Sequence, residues 1–176
     1  MFKKFFKLFL LTILLTSCAV KVPKQEEGST LKLTHLLLSL DSKISIGEAT
    51  QLSKEIFAQT ALLSTQFHMT SPPQYHNFLV NVGLKDKGLC YHWSDALYRH
   101  FIQKEYPSFS FHLMGANIWE YWNEHNTLVV SAKDKEPKKG VVIDPWRNAG
   151  KLYFSKVVDD TAYHWIHRPT RGCKNK

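Results

Sequence analysis

The sequence predicts an α+β fold, with helices first and an antiparallel sheet after them, and three observations carry that prediction. Two stretches in the N-terminal half, and a third beginning at Cys90, place apolar residues three and four apart, the period of an amphipathic helix. From Phe109 onward the chain turns to four short segments of strand composition. Helical and strand segments are segregated rather than alternating, which favours an antiparallel sheet over parallel βαβ units. At 176 residues, 44% hydrophobic and 22% charged, the chain is expected to form one folded domain and is neither a disordered tail nor a collagen-like repeat.

The first seventeen residues stand apart. Lys3, Lys4 and Lys7 precede a run from Leu8 to Leu15 that is apolar except for Thr12, the pattern of an export signal. A membrane-spanning helix needs about 20 apolar residues, so a permanent transmembrane anchor is the weaker reading. Leu15-Thr16-Ser17-Cys18 resembles the lipobox of bacterial lipoproteins, where small residues before a cysteine allow cleavage and the cysteine becomes the lipidated first residue. The resemblance implies that residues 1–17 are a lipoprotein signal peptide and that acyl chains on Cys18 tether the domain to a membrane. Ala19, in place of the Asp that retains lipoproteins at the inner membrane, favours the outer membrane and a domain facing the periplasm. The alternative is a simply secreted protein with a small-residue cleavage site. Residues 18–30, polar and without apolar periodicity, read as the tether, and residues 31–176 as the domain.

Within the domain, Leu31, Leu33, Leu36, Leu37, Leu38 and Leu40 suggest a short helix. Ser45-Ile-Gly-Glu48 has capping-box spacing, and Ile46, Ala49, Leu52, Ile56 and Leu63 continue at helical intervals to about Gln66. Ser71-Pro72-Pro73 breaks the chain, after which Asn77 to Val82 has strand character. Gly88 closes a charged turn. From Cys90, the residues Trp93, Ala96, Leu97 and Phe101 define a helix ending before Pro107. Strands are expected over Phe109 to Leu113, Thr127 to Val130, Val141 to Ile143 and Leu152 to Val158.

Chemistry concentrates around Cys90. A thiol at a helix N-terminus meets the positive end of the macrodipole, and such sites favour the thiolate, the attacking form. A nucleophile needs a base, and the base an orienting acceptor. His125 opens His-Asn-Thr-Leu-Val-Val and Asp144 ends Val-Val-Ile-Asp, at the mouths of two strands that a hairpin would pair. Cys90 would then attack a carbonyl, His125 move the proton and Asp144 hold the imidazole. Backbone N–H groups at the start of the Cys90 helix would stabilise the oxyanion, with Asn77 and Asn81 as side-chain candidates. Trp119, Trp122 and Trp146 flank these motifs and, with Trp93, are candidates for a substrate groove, although most of the aromatics are expected in the core.

Gly88-Leu-Cys-Tyr-His-Trp93, Glu124-His-Asn-Thr-Leu-Val-Val130 and Ile143-Asp-Pro-Trp-Arg147 resemble, in this order, the Cys, His and Asp motifs of the transglutaminase-like superfamily within the papain-like group. The resemblance spans about Val80 to Val158. It implies a transglutaminase-like fold with Cys90 as nucleophile, His125 as base and Asp144 as orienter. The short loops between strands and the lack of a calcium-loop pattern favour hydrolysis over regulated crosslinking. The superfamily holds peptidases, amidases, transglutaminases and catalytically dead binders, so the fold alone does not choose.

Each residue also has a plainer explanation. Cys90 could form a disulfide with Cys173, because lipidation of Cys18 leaves two thiols in an oxidising compartment, or it could be a core cysteine. His125 could simply cap a strand, with His92, His164 and His167 as other candidate bases, the last two past the final strand. Glu124 is expected to be a salt-bridge or hydrogen-bond partner, and Asp159 and Asp160 turn residues. Cys90, His92, His125 and Asp144 lack the paired spacing of structural zinc ligands, so neither metal nor cofactor is predicted. The export segment carries three lysines and no acid, leaving 20 basic against 15 acidic residues. That modest excess permits an anionic envelope surface or peptide as partner, and nucleic acid is not predicted. The expected function is a lipid-anchored periplasmic cysteine hydrolase cleaving or transferring an amide or peptide acyl group of an envelope substrate. The alternative is an inactive envelope binding module on the same fold.

Overall fold

The structure, a computed structural model, describes residues 28–120 and 122–170. The signal peptide, Cys18, most of the tether and Cys173 therefore lie outside the described residues. Among the described residues, four helices, α1 (Ser29–Leu38), α2 (Ile46–Gln66), α3 (Pro73–Asn81) and α4 (Cys90–Phe101), precede β1 (Phe109–Ala116), β2 (His125–Ala132), β3 (Val141–Asn148), β4 (Lys151–Lys156) and β5 (Ile166–His167). The strands form one antiparallel sheet in the order β4-β3-β2-β1-β5. No described helix is long and apolar enough to cross a membrane.

The helices begin where local chemistry starts them, with two departures from expectation. α1 opens at Ser29, just after Gly28 at φ 77°, so the last two residues assigned to the tether belong to the domain. Leu33 and Leu37, four apart, are its buried leucines, whereas Leu31 is 60% exposed. At α2, Ser45 Oγ accepts from Glu48 N at 3.1 Å. The Glu48 carboxylate does not return to the cap; it reaches across to accept from Ser108 N at 2.9 Å, tying α2 to the entry of β1.

The strand expected over Asn77 to Val82 is a helix instead. Pro73 stands in the first turn of α3, where its missing N–H is not needed and its fixed φ suits a helix. Pro73 and His76 are the buried residues of this nine-residue segment, Asn77, Leu79 and Val80 are half-buried, and its contiguous apolar residues are compatible with either structure, so the proline decides.

β2 is the middle strand and is buried along its whole length. Alternation along it separates two cores. Leu128 and Val130 face the helices with Val141 and Ile143, and Trp93, Leu97 and Phe101 of α4 pack on them. Val129 and Val142 face the other way, onto Met114, Ala116 and Trp165. The segment past β4, expected to lie beyond the sheet, supplies β5, which pairs with β1 through Met114↔His167 and Gly115↔Ile166. This short edge strand brings Trp165 and Arg168 back over the end of the sheet where β2 begins.

Candidate active site

The β2–β3 register pairs Leu128 with Ile143, so the next residues out are Thr127 on β2 and Asp144 on β3. The pairing of β3 with β4 then shifts between Asp144 and Asn148, around Pro145, which has no N–H to give a ladder. His125 and Asp144 both lie beyond the Leu128–Ile143 pair, at the same end of the β2–β3 ladder. His125 Nε2 and Asp144 Oδ2 stand 2.7 Å apart, with the two side chains 2% and 1% exposed.

Asp144 is itself held by a second layer. Arg147 donates from Nε to Asp144 Oδ2 at 3.0 Å and from its backbone N to Oδ1 at 3.2 Å. The same guanidinium grips Asp160 through both terminal nitrogens, at 3.0 and 2.7 Å. Asp160 also accepts from Trp165 Nε1 at 2.9 Å. The guanidinium carbon lies 3.8 Å from the Tyr153 ring centre and 4.8 Å from that of Tyr163. Burial disfavours ionisation of both carboxyls, yet both are held below the ordinary carboxylate range: Asp144 by the charge of His125 and then of Arg147, Asp160 by hydrogen bonds from Arg147 and Trp165. Asp160, expected in a turn, is thus a buried ion-pair partner, and one cation serves two anions. The remaining negative charge falls on His125.

Burial alone would push His125 down. The Asp144 carboxylate and, after it, the Cys90 sulfur outweigh burial and raise the imidazole from 6.5 to about 9. Trp146, Tyr163 and Trp165 enclose the ring at centroid distances of 4.7, 4.6 and 5.4 Å. With Nε2 committed to Asp144, Nδ1 is left without a partner that meets hydrogen-bond geometry among the described residues. The Cys90 thiol is still near enough to act on the ring. Nδ1 is therefore the nitrogen open to the sulfur.

Cys90 is the first residue of α4, 8% exposed, and among the described residues it is a free thiol. The disulfide considered with Cys173 involves a residue outside those described. Its S–H points toward Glu124 O at 3.8 Å, and Asn126 Nδ2 points at the sulfur from 3.9 Å. Asn126 is turned by Glu124, whose Oε1 accepts from the same Nδ2 at 3.3 Å. Glu124 also accepts from Arg168 at 2.5 Å and from Trp119 N at 3.1 Å, contacts that outweigh burial and keep its pKa low. Its expected role as an ion-pair partner is what the structure displays.

The turn before Cys90 is fixed by two histidines. His92, considered as an alternative base, has Nδ1 occupied as acceptor for Gly88 N and Leu89 N at 3.1 and 3.2 Å. His76, fully buried in α3, accepts from Thr70 N at 3.2 Å and meets Lys87 O at 2.9 Å through Nε2. An acceptor at Nδ1 and a donor at Nε2 make it the neutral tautomer, and burial pushes its pKa down accordingly. Gly88 adopts φ 122°, and a Cβ there would lie 2.1 Å from His76 Nε2, so both the backbone angle and the space demand glycine.

A groove of about 740 Å³ opens over the sulfur, bounded by α3, the start of α4 and the β1–β2 loop. It includes the oxyanion candidates Asn77 and Asn81 and the groove candidate Trp122. Trp146 instead lies tilted against His125 and donates from Nε1 to Asn77 Oδ1 at 3.0 Å. Trp119, 69% exposed, lies over Arg168 at 5.8 Å beside the groove rather than in its wall. Trp93 is a correction: it is 1% exposed and packs edge-on against Phe67 at 5.0 Å. Three residues on from Cys90, it shares the inward stripe with Leu97 and Phe101. His164 and His167 have no bond to Cys90 or Asp144 among the described contacts, and His167 stands against His112 at 5.4 Å. No group of three or more potential metal ligands occurs among the described residues.

The sequence reading assigns no site role to Asn126, Arg147 or His76, and takes Asp160 for a turn residue only. Asn126 and Arg147 lay inside the quoted motifs, and alternation on β2 could have placed Asn126 on the helix side. His76 left no local signal, because its partners lie six and eleven residues away. Comparison of the chain with family models, with curated proteins and with solved structures returns no match.

Proposed function

We propose that this chain is a cysteine hydrolase of transglutaminase-like fold that cleaves an amide or peptide bond through an acyl-enzyme, tethered by a lipidated Cys18 and facing the periplasm. The observation that carries the reading is the buried His125, held by Asp144 at 2.7 Å through Nε2 while Nδ1 has no hydrogen-bond partner among the described residues, with the Cys90 sulfur acting on the same ring. The order of Cys at a helix start, then His and Asp on neighbouring strands, supports the fold assignment.

In this reading His125 takes the Cys90 proton as the sulfur attacks, and an imidazole raised to about 9 suits an acceptor of that proton. The thiolate adds to the acyl carbon and the carbonyl electron pair moves to oxygen. The oxyanion accepts from the Cys90 N–H, which the first turn of a helix leaves unpaired, and from Asn126 Nδ2. Collapse expels the amine as His125 hands its proton to nitrogen, leaving a thioester on Cys90. Water then gives a proton to His125 and adds as hydroxide, and collapse releases the acid and the thiolate. Asp144 keeps Nε2 oriented, and Arg147 with Asp160 keeps Asp144 in place.

The test is acylation by p-nitrophenyl acetate, read as release of p-nitrophenolate and as an acetyl group mapped to Cys90 by mass spectrometry. Wild type should show a burst, Cys90→Ala none, and His125→Ala a burst slower by about a hundredfold or more. Equal acetylation of Cys90 with and without His125 would reduce the site to an ordinary thiol and remove the proposal. Lipidation is checked separately by the mass of the N-terminal peptide, which should begin at an acylated Cys18.

A further inference from the structure

The groove over Cys90 has a chemical character that the rest of the chain lacks. The sequence holds 23 lysines and arginines, yet among the described residues no Lys, Arg, His or Asp lines this groove. The one charged residue of its described lining, Glu124, is already engaged by Arg168 at 2.5 Å and Asn126 at 3.3 Å, and Arg168 also donates to Asn126 Oδ1 at 3.4 Å. The α3 wall presents Gln74, Asn77 and Asn81, three and four residues apart and so on one face of the helix. Primary amides both donate and accept, as peptide groups do. One helical turn rises about 5.4 Å, close to the ~6.6 Å between alternate residues of an extended chain. Asn77 is already polarised: its Oδ1 accepts from Trp146 at 3.0 Å, so its remaining pole is the N–H donor. Interleaved with these amides is Phe78, 56% exposed, and across the groove stands Trp122, 84% exposed.

From this arrangement we infer that the groove binds an extended, uncharged peptide segment carrying an apolar side chain, and discriminates against carboxylate-bearing substrates. Amides on α3 take the substrate backbone, and Phe78 and Trp122 take the side chain. A substrate carboxylate would lose water against a described lining that holds no cation, since Arg168 beside it is committed to Glu124 and Asn126, and it would face Glu124. The inference rests on Cys90 being the nucleophile.

The experiment compares two capped tripeptidyl chloromethyl ketones, acetyl-Val-Phe-Ala and acetyl-Val-Glu-Ala, with iodoacetamide as a reagent that has no peptide. In each ketone reaction Cys90 Sγ bonds to the methylene carbon and displaces chloride, and the thiol proton passes to His125 and then to water. Second-order labelling rates are read on the purified chain, with the label mapped to Cys90. The neutral peptide should react about tenfold or more faster than the acidic one. Asn81→Lys, which places a cation in the α3 wall, should shrink or invert that ratio, a gain toward the acidic probe that misfolding cannot mimic. Equal rates for the two peptides, or no change of the ratio in Asn81→Lys, would overturn the inference while iodoacetamide labelling of Cys90 left the nucleophile standing. Cys90 that resists iodoacetamide in the folded chain and reacts only after unfolding would overturn the nucleophile, and the inference with it.

Discussion

Replacing Asp144 with Asn keeps the shape of the side chain and removes the charge that holds a proton on His125. The imidazole sits at about 9 against an ordinary 6.5, although burial acts to lower it. At 1.36 kcal/mol per pKa unit that difference is about 3 kcal/mol of preference for the imidazolium. In Asp144→Asn burial acts with its main opponent gone, so His125 should titrate well below about 9, with the Cys90 sulfur left to oppose burial, observable as the pH dependence of its ring resonances by NMR. The same coupling sets a stability profile. A folded pKa raised above the unfolded value stabilises the protein fully below about pH 6.5, and that contribution is lost as pH rises through about 9. Denaturant unfolding of the wild type should therefore weaken by up to about 3 kcal/mol across that window, and the profile of Asp144→Asn should be flatter there. A His125 that still titrates near 9 in Asp144→Asn, or a wild-type profile already flat between those pH values, would show that the carboxylate is not what charges the imidazole.

Other expected outcomes follow from single contacts. Asp160→Ala leaves Arg147 without its bidentate partner beside a buried Asp144; removing one member of a buried pair costs about 3–5 kcal/mol, measurable by urea denaturation, and a loss below about 1 kcal/mol would mean solvent replaces the carboxylate. Gly88→Ala forces a Cβ to within 2.1 Å of His76 Nε2 at φ 122°. It should lower stability by about 2 kcal/mol or more and slow Cys90 alkylation, whereas unchanged alkylation would show that the turn does not set the position of the thiol. Cys90→Ala removes a sulfur whose polar contacts lie at 3.8 and 3.9 Å; it should abolish acylation and leave the melting temperature within a few degrees of wild type.

Much of the architecture is legible in the sequence wherever apolar period and boundary signal agree. Leu52, Ile56 and Leu63 follow a capping serine and form the buried stripe of α2, and Trp93, Leu97 and Phe101 do the same for α4. The segment from Asn77 to Val82 failed that test. Its apolar residues are contiguous, so strand and helix were equally compatible with composition, and Pro73 in the first turn decided for a helix. β5 was invisible because two residues cannot declare a period.

Asp144, expected to end its strand, lies inside β3, which runs on to Asn148, whereas the sequence by itself determined the order of helices before sheet, the position of Cys90 at the start of a helix and that of His125 at the start of a strand. Those properties depend on neighbours within a few residues. Tertiary structure alone decided the 2.7 Å approach of His125 to Asp144, the sharing of Arg147 between Asp144 and Asp160, the amide of Asn126 at the sulfur and the burial of His76 under the turn at Gly88. Each of these depends on strand register, on an irregularity around Pro145 or on helix packing. Such contacts join residues far apart in the chain, and no local pattern of side chains encodes the distance between them.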